Sequence, residues 1–222
     1  MGKFFDIDGS FIVGLTKVAD VFILNLLLIL CCIPIITIGP AVTAMYYVTL
    51  KMVKDEDCYI VKSFFKSFKQ NFKQGTLIWL ILLAVGLIMY ADSRIMTGEY
   101  TEYMNLSNGA MTVMSVLLMA TTLLYLFTIS YVFPVLARFD NTIKRTIANA
   151  FFMSVKHFPS TIVIIIVNVV PIILMYIEPR ALILVFVIFG LCAYINSFFF
   201  VKIFKNYMPE EHITEDEKFE VQ

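Results

Sequence analysis

The side chains of this sequence that could do chemistry at membrane depth are a few charged and amide groups within long apolar runs. Lys17, Asp20 and Asn25 fall within one arc of about 140° if the first apolar run is a helix. Lys17 and Asp20 are three residues apart, so their charges could pair on one face. Asn168 and Asn196 occur in the last two apolar runs. Polar groups at such positions usually face protein or water, so these five residues form a candidate intramembrane polar site.

Two interpretations of this polar site stay open. If Asp20, Asn25, Asn168 and Asn196 converge on one cavity, they line a water-accessible path of a small transporter. Alternatively, Lys17 and Asp20 form an ion pair that packs two helices, and the Asn side chains bond between helices, as amides do in membrane bundles. We favour the second interpretation.

Motifs for catalysis or cofactor binding are missing from the sequence. It contains no Walker, HExxH or GxSxG motif. Its two His residues are too few for a metal centre, and none of its four Cys residues forms a C-x-x-C pair. We therefore predict no catalytic, cofactor-binding or metal-binding residue, no cofactor and no enzymatic activity.

The composition requires a membrane around these residues. Hydrophobic residues make up 60% of the 222-residue chain and charged residues 15%, whereas soluble chains have about 45–50% and about 25%. Such an excess cannot be buried in one soluble core of this size, so the lipid bilayer is the predicted surrounding. The net charge is zero, which gives no indication of nucleic-acid binding.

Runs of about 20 apolar residues predict membrane helices. The region Phe11–Val53 is too long for one helix and contains Pro34 and Pro40, so we divide it at a turn over Ile33–Pro40. The fold class is therefore all-α, a polytopic transmembrane bundle within a single domain over residues 1–205, followed by a polar cytoplasmic tail over 206–222. The predicted spans are Phe11–Cys32, Ala41–Val53 (which could extend back through the turn), Gly75–Ala91, Met111–Phe133, Thr161–Ile177 and Ala181–Val201.

The distribution of Lys and Arg gives the orientation of these six spans. All of these residues except Arg94 and Arg180 fall on one side, which is therefore cytoplasmic. Both termini then lie in the cytoplasm of a bacterial cell, and the protein crosses the plasma membrane several times. A five-crossing arrangement stays open, because it would move only Lys3 and Lys17 outside.

Two cytoplasmic segments between spans have amphipathic patterns. In Cys58–Lys73, one helical stripe carries Lys62, Lys66, Lys69 and Lys73, and a second carries Val61, Phe65, Phe68 and Phe72. This pattern is typical of a helix in the headgroup plane. It would either dock a cytoplasmic partner, through Lys62, Phe65, Lys66, Phe68, Lys69, Phe72 and Lys73, or only anchor the bundle on the inner leaflet.

The second amphipathic segment, Thr142–Phe158, resembles the first. Phe64-Phe65-x-Ser67-x-Lys69 in one matches Phe151-Phe152-x-Ser154-x-Lys156 in the other. The match predicts a parallel repeat of helix, cytoplasmic amphipathic helix and helix. Chance similarity competes with this interpretation, because the chain contains 21 Phe residues.

Three runs resemble the YesL family: Lys17–Asn25, Pro34–Tyr47 with its Thr-Ile-Gly-Pro sequence, and Ser63–Gln74. The resemblance is strong over about the first 90 residues. It implies a small polytopic membrane protein of Gram-positive bacteria with a domain of unknown function. The genes of such proteins often lie beside those of sugar ABC importers and polysaccharide-degrading enzymes. No functional residues are established for the family, so none is transferred to this chain.

The function that we expect is therefore that of a non-enzymatic accessory or regulatory protein of a carbohydrate uptake system of the ABC type. Components of a sugar ABC transporter are the partners that the resemblance implies. The alternative is a small transporter or permease-like protein in its own right, and the oligomeric state stays open. An intramembrane enzyme would need clustered nucleophiles, bases or metal ligands, which the sequence does not contain.

Overall fold

The computed structural model describes residues 10–56, 58–96 and 108–208 of the chain, and within them it is all-α. Two 3₁₀ turns, Ile35–Thr37 and Pro179–Leu184, precede the second and the last helix. The helices are α1 (Ser10–Cys32), α2 (Ile38–Val53), α3 (Ile60–Gln70), α4 (Phe72–Met96), α5 (Asn108–Arg138), α6 (Ile143–Lys156), α7 (Phe158–Ile177) and α8 (Val185–Lys205).

Six of these helices are long and apolar enough to cross a membrane: α1, α2 with its preceding turn, α4, α5, α7 and α8. This number agrees with the six-crossing arrangement rather than with five. Many of their large apolar side chains are exposed on the outside of the bundle, which indicates a surface covered by lipid. The all-α, polytopic fold class is thereby confirmed. The tail from residue 209 onward lies outside the described residues.

The observed helix bounds differ from the predicted ones by up to five residues. The last helix begins at Val185 and not at Ala181, because Pro179–Leu184 forms a 3₁₀ turn, and two other helix starts also differ for a clear reason. α2 begins at Ile38 and includes Pro40, because a proline in the first turn of a helix removes an N–H that has no partner there. α4 begins at Phe72, so the predicted amphipathic helix over Cys58–Lys73 is too long. It ends at Gln70 because Asn71 caps it, donating its side-chain amide to the Ser67 carbonyl at 3.1 Å. Phe72 and Lys73 therefore belong to a membrane helix.

α2 is the central helix of the bundle. It packs against α1, α3, α4, α5 and α8, and most of its residues are buried. The side that faces α4 begins with Gly39, where an added Cβ would lie 2.7 Å from the Trp79 Cβ and against the Gly75 carbonyl oxygen. Small residues thus allow five neighbours to approach one short helix.

The two amphipathic helices lie at the same end of the bundle, because an even number of crossings separates them. We call this end the lysine-rich side; every described Lys and Arg except Arg94 and Arg180 lies there. Polar contacts join its segments. Gln74 Nε2 donates to the Asn141 carbonyl oxygen at 2.6 Å, and the His157 ring lies 3.2 Å from the Tyr207 hydroxyl.

Candidate functional site

Asn25, the most buried of the predicted polar residues on α1, binds the backbone of α8. Its Oδ1 accepts the Gly190 N–H at 2.8 Å, and its Nδ2 donates to the Val185 carbonyl oxygen at 2.9 Å. The side chain is fully buried. Both polar ends of the amide are therefore satisfied by another helix, and Asn25 holds α1 against α8 instead of facing a water path.

Asn168 and Asn196 meet at the middle of α7 and α8. Asn196 Nδ2 donates to Asn168 Oδ1 at 3.1 Å, and Asn168 Nδ2 donates to the Ile164 carbonyl oxygen at 2.8 Å. The Asn196 side chain is fully buried, with the Tyr46 phenol next to its amide. A cavity of about 170 Å³ lies next to this pair, and Asn168, Tyr46 and Pro171 line it.

The predicted pair of Lys17 with Asp20 is wrong. The Lys17 ammonium instead bonds to the Asp55 carboxylate at 2.7 Å. Asp55 lies two residues after the end of α2 and has a positive φ of 54°, so the chain reverses there and brings this carboxylate to α1. Lys17 therefore pairs with Asp55, 38 residues away, and not with Asp20.

The five predicted polar residues therefore lie in four separate places. Lys17 pairs at the lysine-rich side, and Asp20 faces a groove between α1 and α3. Asn25 binds α8, and the two remaining asparagines bond to each other. The transporter interpretation requires these side chains to line one continuous cavity. In the described part of the chain they do not, because Asp20 and Asn168 line separate cavities.

The helix α3 presents three kinds of residue on three sides. Phe64 and Ser67 are fully buried against the bundle. Phe68 is partly buried, and its ring stacks on Phe64 at 6.2 Å. Val61 and Phe65 flank this side with about half of their surface exposed, and the lysines of α3 are exposed opposite it: Lys62, Lys66 and Lys69.

The predicted docking residues divide accordingly. Lys66, Lys69, Lys73 and Phe72 are exposed. Lys62 and Phe65 line the groove beside Asp20, and Phe68 belongs to the inner side of α3.

The matched segments of α3 and α6 occupy corresponding positions. Ser67 and Ser154 are both fully buried, and Lys69 and Lys156 are both exposed. The Phe64 and Phe65 rings lie 5.6 Å apart, and so do the Phe151 and Phe152 rings. Phe64 is fully buried whereas Phe151 is only partly buried, and the repeat of a membrane helix, an amphipathic helix and a membrane helix stays a prediction.

Several polar residues that connect helices were not predicted. The Tyr131 hydroxyl lies 2.8 Å from Thr161 Oγ1, which in turn donates to the Ser154 carbonyl oxygen at 2.7 Å. Thr49 Oγ1 lies 2.7 Å from Ser197 Oγ and so joins α2 to α8. Ser, Thr and Tyr residues within apolar helices could have indicated these contacts. However, such hydroxyls also bond to their own helix, as Ser130 does, so the sequence does not show which ones join two helices.

Possible metal ligands do not cluster in the part of the chain that the structure describes. It contains no cluster of three or more His, Cys, Asp or Glu side chains that could hold a metal ion. The pKa of His157 is lowered by partial burial and by the neighbouring Lys156 ammonium. This imidazole is therefore biased toward its neutral form beside Tyr207, a structural contact at the end of α6.

Comparisons with known proteins give a family model that matches within the first half of the chain, and a bacterial relative. The family model described as "Protein of unknown function, DUF624" matches residues 21–93. The protein YesL of Bacillus subtilis (strain 168), described as uncharacterized, is 28% identical over 116 residues, which are 52% of this chain and 51% of YesL. The match thus spans about half of the length of that relative. No solved structure matches the chain.

Proposed function

We propose, from the premise that this chain belongs to the DUF624 family, that it is a non-enzymatic accessory or regulatory protein of a carbohydrate uptake system of the ABC type. It resides in the bacterial plasma membrane, with the lysine-rich side in the cytoplasm. It acts by docking a partner there. The link to carbohydrate uptake rests on the family resemblance, and the docking surface rests on the geometry.

The observation that supports docking is the exposed basic surface at the junction of α3 and α4. Lys66, Lys69 and Lys73 are exposed, and Phe72 exposes 37% of its surface beside them. None of these lysines has an ion-pair partner among the described residues. Unpaired lysines around an exposed aromatic ring suit an acidic partner surface that adds apolar contact.

The geometry supports this role better than that of a transporter. A transporter needs polar groups that converge on a path across the membrane. Here Asn25 is satisfied by α8, and Asn168 bonds to Asn196. The bundle instead resembles a scaffold whose internal polar groups hold helices together.

The test of this role uses the full-length tagged chain and a sugar ABC importer from the same cell. We expect the membrane and ATP-binding subunits of the importer to co-purify in mild detergent. A variant with Lys66→Gln, Lys69→Gln and Lys73→Gln should lose them, because it removes the basic surface. The control, Lys202→Gln with Lys205→Gln, removes exposed charge from the same side at α8. Absence of the importer subunits, or equal recovery by the variant, would overturn the proposal.

A second experiment tests the orientation independently. A cysteine placed at Lys69, in a chain whose native cysteines are replaced, should react with an impermeant maleimide in inverted vesicles and not in intact cells. A cysteine at Arg94 should show the opposite pattern, since Arg94 lies at the far end of α4. Labelling of Lys69→Cys in intact cells would place the basic surface outside and remove the cytoplasmic partner.

A further inference from the structure

Asp20 is a carboxylate in a membrane-spanning helix, and no described residue forms a hydrogen bond or an ion pair with it. Lys17, the nearest cation in sequence, is bonded to Asp55. No other hydrogen bond or ion pair reaches Asp20 in the described part of the chain, and its side chain is only partly buried. An ionisable group in a membrane helix is costly unless something compensates its charge.

Asp20 faces a groove of about 800 Å³ between α1 and the start of α3. The same groove is lined by Lys62, by the apolar side chains Ile23, Val61 and Phe65, and by Tyr59. The apolar members are 39–49% exposed, and Tyr59 is 82% exposed. The groove therefore opens to the surroundings of the protein, and one anion and one cation lie on its otherwise apolar wall.

The depth of the groove follows from its neighbours. Asp20 lies three residues, or about 4.5 Å along the helix axis, beyond Lys17 on α1. The Lys17 ammonium is joined to the loop after α2 at the lysine-rich side. Asp20 is thus close to the boundary between headgroups and acyl chains, where lipid phosphates and amines are available.

We propose that this groove binds a phospholipid with a primary-amine headgroup, such as phosphatidylethanolamine. The lipid ammonium donates to Asp20, and its phosphate accepts from the Lys62 ammonium. The acyl chains lie on Ile23, Val61 and Phe65. Asp20 and Lys62 form no ion pair with each other, so both charges are available to the two charges of one headgroup.

The chemistry of the headgroup provides the discrimination. A primary ammonium has three N–H donors for the carboxylate. The quaternary ammonium of phosphatidylcholine has none, and phosphatidylglycerol has no cation at all. The loss of one charge-assisted hydrogen bond of about 1.4 kcal/mol corresponds to roughly a tenfold weaker retention.

The test is native mass spectrometry of the full-length chain in detergent with equal amounts of the palmitoyl-oleoyl forms of these three lipids. We expect phosphatidylethanolamine adducts to exceed phosphatidylcholine adducts by roughly tenfold. Asp20→Asn should bring this ratio close to one, because it removes the anion. Lys62→Gln should weaken retention of both lipids, since both have the phosphate. Lys202→Gln, an exposed site on α8 outside the groove, should change neither.

Two results would overturn the lipid site. One is an equal ratio of the two lipids in the wild-type chain. The other is the wild-type ratio in Asp20→Asn, provided that thermal unfolding shows both proteins folded. The docking variant keeps Lys62 and Asp20, so failure of the lipid site and failure of partner docking are distinguishable.

Discussion

The side-chain amide of Asn25 on α1 forms two hydrogen bonds to the backbone of α8, one of them to Gly190. Gly190 also packs closely against Asn25. The Gly190 N–H donates to Asn25 Oδ1 at 2.8 Å, and an added Cβ at Gly190 would lie 3.1 Å from the Asn25 Cβ. The absence of a side chain at Gly190 therefore lets the two helices approach closely enough for the Asn25 amide to form this hydrogen bond. This contact joins the first and last membrane helices through two residues that are 165 positions apart in sequence.

The first prediction concerns this amide. Asn25→Leu should lower the free energy of unfolding by about 1–3 kcal/mol, because the Val185 carbonyl and the Gly190 N–H lose a buried partner. Denaturant unfolding in detergent micelles would measure the loss. Asn206→Leu, at an exposed site just after α8, is the control and should change little. An unfolding free energy of Asn25→Leu equal to that of the wild type would show that water replaces the amide.

The second prediction concerns the two close helix contacts at glycine. Gly39→Ala should destabilise the bundle strongly, because its Cβ would meet the Gly75 backbone and the Trp79 Cβ at 2.7 Å. Gly190→Ala should do so less severely, since its Cβ would lie 2.8 Å from the Val21 carbonyl oxygen. Thermal unfolding and gel filtration in detergent would measure both.

Gly14→Ala is the matched control for these glycines. An added Cβ at Gly14 meets no atom within 4 Å. Because alanine favours a helix over glycine by about 1 kcal/mol, this variant should be neutral or more stable. If all three substitutions had the same effect, helix propensity and not close packing would explain it.

The third prediction concerns the bond between Asn168 and Asn196. A double-mutant cycle with Asn168→Leu and Asn196→Leu should give a coupling of about 0.6 kcal/mol, which is typical of hydrogen bonds between membrane helices. Asn25 forms two hydrogen bonds to the backbone of α8, whereas Asn196 donates one to Asn168, so Asn196→Leu should cost less than Asn25→Leu. A coupling above about 2 kcal/mol would exceed the known range and would indicate that other groups join the pair.

Features that depend only on nearby residues could be predicted from the sequence, whereas contacts between distant residues could not. The membrane spans could be predicted because the length of an apolar run is visible without knowing what packs against it. The lysine-rich side could be predicted because the Lys and Arg residues of each loop can be counted in the sequence. The polar partners could not. Lys17 and Asp20 satisfy the spacing rule, yet Lys17 pairs with Asp55, whose position depends on where α2 ends. Likewise, the amphipathic stripe continues through Phe72, while Asn71 ends α3 one residue earlier.

The fourth prediction separates the ion pair of Lys17 from the backbone of Asp55. Asp55 has a φ of 54°, and its side chain is 76% exposed. An exposed pair contributes at most about 1 kcal/mol, so Lys17→Gln should cost little. Asp55→Ala should be less stable than Asp55→Gly by about 1 kcal/mol, because only glycine adopts this φ without strain. Thermal unfolding in one detergent checks all three, and equal stability of the Ala and Gly variants would contradict the backbone argument.

The last prediction uses His157 as a pH probe of the contact between α6 and the end of α8. Partial burial, followed by the Lys156 ammonium, lowers the pKa of His157 in the folded chain from its usual 6.5. The unfolded chain then binds more protons in the window below pH 6.5, so the stabilisation from neutral His157 is complete above that pH and is lost as the pH falls through the folded pKa. The melting temperature of the wild type minus that of His157→Gln should therefore decrease between pH 7.5 and 5. Other titrating groups are the same in both chains, so their effects cancel in the difference. A difference that increased on acidification would mean that the imidazolium is the stabilised form, and that Tyr207 contributes more through its ring than through its hydroxyl.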